Sequence, residues 1–578
     1  MVGAAGIEPA TLGLEIRCSI RLSYAPILSD SANLPLRKPR IAFPFDVTAR
    51  QTPIDSLFSR EDNSATELPH AALTNAVPPL KHRTVRRLSM IRPPARNLVC
   101  AVFAIFALLA VSAQAQTYQS ILTFNTNGET GSYGAYSTLV QATGGLIYGT
   151  GYQSFGQYAG SVYAMTADGT ETMAYRFCSE LNCRDGFNPQ GNVVEADGVF
   201  FGITAQGGAN SNKNLCSQGC GTVYRITPEG ELTTLYSFCS LTNCADGAVP
   251  LAGLVEGVDG YLYGTTSTGG TGGGGTIFRI TPDGDLITLY RFCSIERCAD
   301  GSMPNAPLLQ APGGNFYGTT PGGGKVGRGT IFQMTPDGVL TTVHNFCTGT
   351  CHNGFAPSGG LTLGAYGNLY GTTSESLRGH GTVYKFSSRG KFTTLYKFCF
   401  ERMDCSNGLS PETGVTLGSD GYLYGTTPKG GDNQGTIFAI SPSGDFHRIR
   451  GFYTGGTLEG GLLQDTNGFF YGYCLGSGGS GACVKDDSYG NIFVMDMHLK
   501  PFVKMNPTFG PAGAAITILG TRLQGATSVT FNGVPATFTV VSASQITTTV
   551  PAGATTGQIE VTTGSGTLKS NLPFTATQ

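Results

Sequence analysis

A chain of 578 residues with 84 glycines, no tryptophan and 13% charged residues is long enough for two or more domains with sizeable cores. Short strands joined by tight turns give such a composition; it excludes helical bundles, which need more Leu, Ala, Glu and Lys. A formal net charge of −2 leaves no electrostatic footprint for nucleic acid.

Residues 1–89 show no sustained period of 2 or 3.6, and their Pro and Arg are scattered without a turn grammar. The run Gly6-Ile7-Glu8-Pro9-Ala10-Thr11-Leu12 through Tyr24 resembles a peptide of mispredicted bacterial reading frames. This stretch is expected to be a spurious or disordered N-terminal extension. Residues 90–115 have the layout of a cleaved secretory signal: Met90, then Arg92 and Arg96, an apolar run from Leu98 to Val111, and Ala113-Gln114-Ala115. The run falls short of the roughly 18 residues that a spanning helix wants, so no transmembrane segment is expected after cleavage. The leader removes 13 basic and 8 acidic residues and leaves 23 and 30, a formal charge of −7.

Beyond the leader, 14 cysteines fall into close pairs: Cys178 with Cys183, Cys216 with Cys220, Cys239 with Cys244, Cys293 with Cys298, Cys347 with Cys351, Cys399 with Cys405, and Cys474 with Cys483. An even number behind an export signal reads as seven local disulfides in an oxidising compartment. Zinc is the rival reading, disfavoured by variable spacing and missing His partners; no metal and no cofactor are expected.

Residues 116–498 carry a sevenfold repeat. A Tyr-Gly or Phe-Gly step occurs at Gly149, Gly202, Gly264, Gly318, Gly371, Gly425 and Gly472, and a Gly-x-Ile/Val-Phe/Tyr step follows in each copy, from Gly160 to Gly490. Within the third copy, strand a is expected over 251–257, b over 261–266, c over 276–281 and d over 286–292. Asp259-Gly260 and Pro282-Asp283-Gly284 supply the turns. Ile277 and Phe278 make strand c apolar on both faces, so each four-stranded unit must stack on two neighbours. The predicted fold is all-β, a seven-bladed β-propeller of four-stranded blades. The array starts with a lone strand at 120–124 and stops after strand c at 491–495, so the N-terminal strand is expected to close the seventh blade.

From Pro501 the grammar changes. Alternating runs at 515–520, 528–531 and 558–561, with an Asn532-Gly533 hairpin, predict an Ig-like β-sandwich over 499–578.

Both parts resemble known families. Asp259-Gly260-Tyr261-Leu262-Tyr263-Gly264-Thr265-Thr266, Gly275-Thr276-Ile277-Phe278 and Leu289-Tyr290-Arg291-Phe292 are similar to the GloVer tandem repeat of exported bacterial proteins. Met505-Asn506-Pro507-Thr508-Phe509-Gly510-Pro511-Ala512-Gly513, Ile516-Thr517-Ile518-Leu519-Gly520 and Val550-Pro551-Ala552-Gly553 resemble the IPT/TIG domain. The resemblance implies export and surface association, but no reaction. Some IPT/TIG relatives contact DNA; here only Lys504, Arg522 and Lys569 are basic after Pro501.

In a propeller the a–b and c–d turns lie on one face and the b–c and d–a loops on the other. The second face holds every Cys pair and the long glycine loops, so a ligand is expected there. The departures from the repeat gather around blade one: Tyr133, Tyr136, Tyr152, Phe155 and Tyr158, beside Asp486, Asp487 and Tyr489 of blade seven. Aromatic rings next to carboxylates suit glycan stacking and hydroxyl recognition; the bland reading is that they pack the closure blade. No nucleophile elbow, phosphate loop or two-His zinc motif is present in the sequence. The expected function is therefore a secreted, periplasmic or cell-surface binding module, monomeric and non-catalytic, whose partner is a glycan or a surface protein and not nucleic acid. The alternatives are a carbohydrate-active hydrolase or lyase on the loop-rich face, and a structural matrix or adhesion component.

Overall fold

Tight turns delimit the strands of each repeat, and the a, b, c and d strands of each sheet pair antiparallel. The structure is a computed structural model; it describes residues 117–124, 133–134, 138–152, 160–377, 379–400, 405–453, 457–475 and 490–578, within one compact unit, Ala95–Gln578. In the third repeat strand a is Val255–Glu256, b Leu262–Thr266, c Thr276–Ile280 and d Leu286–Arg291, hydrogen-bonded in that order. Strand a is shorter than the 251–257 expected: strand b reaches only far enough to pair two of its residues, while Ala252 and Leu254 are buried without a ladder partner.

Alternate residues of one strand feed two interfaces. Leu262, Phe278 and Ile280 pack on Phe201, Ile203 and Val223 of the preceding sheet. Tyr263 and Ile277 pack on Phe316 and Phe332 of the following one. Each fully buried side chain of this size is worth about 1.5–3 kcal/mol relative to an exposed one, so a sheet is stable only between neighbours. The glycine of the Tyr-Gly step is part of this packing: a Cβ on Gly264 would sit 2.5 Å from Phe278 Cζ and 2.7 Å from Leu254 Cδ2.

Similar clusters join every pair of successive sheets. One more cluster joins the seventh to the first: Phe124, Tyr471, Tyr473 and Ile492 with Leu139, Ile147 and Tyr163. The hydroxyls of Tyr163 and Tyr473 hydrogen-bond at its centre.

The N-terminal strand, Thr117–Phe124, pairs antiparallel with Gly490–Asp496 and forms the outer strand of the seventh sheet. Its register slips between Ser120 and Leu122. The other six c–d ladders slip at the matching place, as between Ile277 and Phe278; a bulge of this kind bends a strand and tightens its twist. The first segment thus has the form of every other d strand, although its partner comes from the far end of the repeat array.

Residues 504–576 form a sandwich of two four-stranded sheets and a short parallel pair, Phe509–Gly510 with Thr575–Ala576. Ile516, Ile518, Val529, Phe531, Ile546 and Val561 fill its core. Asn532 and Gly533 both have positive φ, 47° and 84°, as the two-residue hairpin turn between Ala526–Phe531 and Val534–Ala536 requires.

The sandwich rests on the tight a–b turns of the repeat sheets. Phe502 N donates to Thr466 O at 3.0 Å, Ser544 Oγ to Thr143 O at 2.6 Å, Asn571 Nδ2 to Leu417 O at 3.4 Å, and Lys504 Nζ to Gln464 O. No α-helix occurs among the described residues, and none there is long and apolar enough to cross a membrane.

Candidate functional site

The d–a loops are built around a buried carboxylate. After strand d of the second sheet, Cys239 and Cys244 take left-handed φ of 62° and 53° and close a disulfide. Asp246, 1% exposed, accepts from Ser240 N at 2.9 Å, Leu241 N at 3.2 Å and the Tyr236 hydroxyl at 2.9 Å. Asp185 does the same for Ser179 and Tyr175, and Asp300 for Ser294 and Tyr290. In the fifth repeat Asn407 Nδ2 donates to Tyr396 instead. In the fourth, His344 replaces the tyrosine and stacks on Phe392 with centroids 4.2 Å apart and planes 2° from parallel. These Tyr and Asp side chains are engaged in holding the loops.

Under the same loops a second polar ring repeats: the hydroxyls of Thr204 and Thr222, Thr266 and Thr276, Thr320 and Thr330, Thr373 and Thr382, and Thr427 and Thr436 pair at 2.8–2.9 Å. All ten side chains are buried.

Among the described residues, six of the expected disulfides are formed between the expected partners. Cys178 is bonded to Cys183, Cys216 to Cys220 and Cys239 to Cys244. Cys293 is bonded to Cys298, Cys347 to Cys351 and Cys399 to Cys405. Within these loops Cys183 and Cys351 take the same left-handed backbone as Cys244, with φ of 51° and 53°. The Cys405 carbonyl accepts from Gly408 N at 2.9 Å and from Gly431 N at 2.8 Å, as the Cys244 carbonyl does from Gly247 N and Gly270 N, so each ties its d–a loop to the b–c loop of the following repeat. Cys474 is disulfide-bonded as well; its expected partner Cys483 lies outside the described residues.

Of the eight residues expected to meet a ligand, Tyr133 and Tyr152 are placed only as backbone, directly paired where a short strand, Tyr133–Gly134, adds to strand b of the first sheet. Tyr136, Phe155, Tyr158, Asp486, Asp487 and Tyr489 lie outside the described residues.

On the opposite face the structure holds something the repeat grammar conceals. Between the inner strands and the C-terminal sandwich lies a half-open cavity of about 1020 Å³, reached by Asp197, Glu256, Gln310, Gln464, Lys504 and Asn506. Gln310 and Gln464 of this wall make a recurring contact, in which a side chain at the end of strand a accepts from a backbone N–H in the a–b turn of the preceding sheet. Gln310 Oε1 takes Val258 N at 3.0 Å, Gln464 Oε1 takes Ser419 N at 2.8 Å, and Glu195 Oε2 takes Thr143 N at 2.7 Å. The recurrent Gln or Glu ending strand a was the sequence signal for this wall.

Residues 212–407 match the Gloeobacter/Verrucomicrobia repeat, and residues 502–576 match the IPT/TIG domain. The chain carries both modules. No curated protein matches its sequence. Among solved structures it is similar to a fungal alcohol oxidase of the AA5 family in complex with copper, at 13% identity and a TM-score of 0.45, over 80% of this chain and 99% of that one. A putative gluconolactonase shares 14% identity at a TM-score of 0.30, over 48% and 82%. A protein of unknown function from Bacteroides thetaiotaomicron shares 14% at 0.32, over 58% and 75%. None of these scores is high enough to bear on fold or chemistry.

The IPT/TIG domain changes the electrostatics of the cavity. Burial raises the Glu256 carboxyl above its ordinary range, Asp197 and Glu195 raise it further, and a hydrogen bond with Asn506 of the IPT/TIG domain opposes them. Burial pulls the Lys504 ammonium down to about 8, against the attraction of Asp465. Asp465 is itself raised by burial. A half-buried carboxyl from the third repeat and a half-buried ammonium from the IPT/TIG domain thus line the same cavity.

Proposed function

We propose that the seven sheets are the blades of a closed seven-bladed propeller, and that the protein is an exported, non-catalytic interaction module that binds a glycan through its loop-rich face. One observation carries this reading: the IPT/TIG domain rests on the tight-turn mouth, which leaves the disulfide-pinned long loops turned away from it. Closure is supported by the cluster between the seventh and first sheets and by the N-terminal strand in the seventh sheet. Export is supported by the disulfides, which are the chemistry of oxidising compartments, and by the signal-like stretch 90–115. The IPT/TIG domain then serves as a spacer between propeller and surface.

The residues proposed to meet the ligand are Tyr133, Tyr136, Tyr152, Phe155 and Tyr158 of the first repeat with Asp486, Asp487 and Tyr489 of the seventh. The test is a glycan array with the secreted chain, its Tyr152→Ala/Asp487→Ala variant and a Glu256→Gln variant. Binding by the parent and by Glu256→Gln, lost in the double variant, supports the reading. Turnover of a bound polysaccharide that Asp487→Asn abolishes would replace it with the hydrolase or lyase alternative. No binding at all favours a structural role.

A further inference from the structure

The second repeat is unlike the others in having a Cys pair in its b–c loop, Cys216 and Cys220, as well as one in its d–a loop, Cys239 and Cys244. The fold brings the two pairs together. The four sulfurs lie within 4.8 Å of one another, with Cys216, Cys220 and Cys244 buried and Cys239 half-buried. Among the described residues no other group of three or more His, Cys, Asp or Glu side chains is so arranged. The spacings, Cys-x3-Cys and Cys-x4-Cys, fall in the range of structural zinc sites.

A tetrahedral zinc ion with bonds of about 2.3 Å holds its sulfurs about 3.8 Å apart. The present cluster reaches that geometry if both disulfides open and the cross pairs, at most 4.8 Å apart, close by up to roughly an ångström.

The backbone around the cluster is held independently of the S–S bonds. Cys216 N donates to Asn212 O at 2.8 Å, Cys220 N to Asn210 O at 3.1 Å, Cys239 N to Gly247 O at 3.1 Å and Cys244 N to Leu241 O at 2.9 Å. Val249 N donates to Cys220 O at 2.9 Å and so ties one loop to the other. Asn210 Nδ2 reaches the carbonyls of Ser237 and Phe238. One outer donor already points at a sulfur: Asn212 Nδ2 lies 3.6 Å from Cys244 Sγ, the kind of contact that steadies a metal-bound thiolate.

We infer that Cys216, Cys220, Cys239 and Cys244 form a tetrathiolate zinc site when reduced, so that these two loops are held either by two disulfides or by one Zn²⁺. With a phosphine as reductant, each disulfide gains two electrons and two protons, and water's oxygen leaves as phosphine oxide. Zn²⁺ then binds four thiolates and releases four protons to solvent. The other described disulfides offer two sulfurs each and form no such site.

The full secreted chain, reduced with a phosphine, is desalted with and without Zn²⁺, and its thiols are alkylated and mapped by mass spectrometry. Zinc is expected to protect Cys216, Cys220, Cys239 and Cys244, and about one zinc per chain is retained. Cys293 and Cys298 label at the same rate with and without the metal. Cys216→Ser/Cys220→Ser should retain at least about tenfold less zinc, whereas Cys293→Ser/Cys298→Ser retains as much as the parent. Co²⁺ in place of zinc adds a thiolate charge-transfer band in the parent. Labelling of the four cysteines that is as fast with zinc as without it overturns the inference, as does equal zinc loss in the two double variants. The labelling comparison is made within the parent chain, so it does not depend on either variant folding.

Discussion

Gln141 and Thr466, 325 residues apart, bind each other twice: Gln141 Nε2 donates to Thr466 Oγ1 at 2.7 Å, and Thr466 N donates to Gln141 Oε1 at 3.1 Å. Both are buried, and they carry the recurring contact at the end of strand a across from the seventh sheet to the first.

Gln141→Ala should cost about 1–3 kcal/mol, because it leaves a buried backbone donor and a buried hydroxyl without this partner. Urea denaturation of the parent and the variant measures it. Gln310→Ala removes the same contact from the exposed Val258 and should cost less. Equal losses would show that burial of the seam has no special weight.

His344 gives stability a pH dependence. Burial against Phe346 and Phe392 lowers its pKa from 6.5 to about 4. The unfolded chain takes up a proton near pH 6.5 while the folded one resists until about 4. The stability from the neutral ring is complete above 6.5 and is lost as pH falls toward 4. Melting temperatures at about pH 7.5 and about pH 4.5 should differ less for His344→Phe than for the parent. An unchanged difference would refute this assignment.

Asp246→Ala should cost about 2–3 kcal/mol, since it deprives two loop N–H groups and the Tyr236 hydroxyl of a charged acceptor. Hydrogen exchange should quicken at Ser240 and Leu241 while strand c of the same sheet, Thr222–Ile226, keeps its protection. Loss of protection throughout the sheet would mean that the carboxylate holds more than the loop.

Gly264→Ala should cost about 1–3 kcal/mol by overpacking against Phe278 and Leu254. Gly144→Ala is the control, because no atom lies within 4 Å of its added Cβ. Chemical denaturation of the two variants tests this: equal losses would point to backbone freedom and not to the ring over Gly264.

The sheets were legible because each repeat states its own turns. Asp259-Gly260 and Pro282-Asp283-Gly284 delimit the strands, and the Ile277-Phe278 pair demands a neighbour on each side. The role of 117–124 followed from counting strands. Local pairing of Cys178 with Cys183, Cys347 with Cys351 and Cys399 with Cys405 was legible too, because each pair closes within one loop. The seating of the IPT/TIG domain was not legible, because it depends on a few contacts between residues far apart in sequence, such as Ser544 with Thr143. The meeting of Cys216 and Cys220 with Cys239 and Cys244 was missed for a related reason: read one loop at a time, each pair is complete in itself. Of the candidate ligand residues, the strand positions of Tyr133 and Tyr152 are placed by pairing, and the others lie outside the described residues.

The seam has a mechanical direction. Thr117, where the outer strand begins, is paired with Asp496, where its partner ends. A pull between residue 117 and the segment after 496 therefore loads this ladder from one end, and its hydrogen bonds would break in succession instead of sharing the force. The IPT/TIG domain shunts that load: Phe502 and Lys504 grip the seventh sheet at Thr466 and Gln464, a few residues beyond the point where the zipper would start to open. Tension applied through the far end of the IPT/TIG domain must first prise it off the turns, so the docked domain acts as a strain relief for the joint.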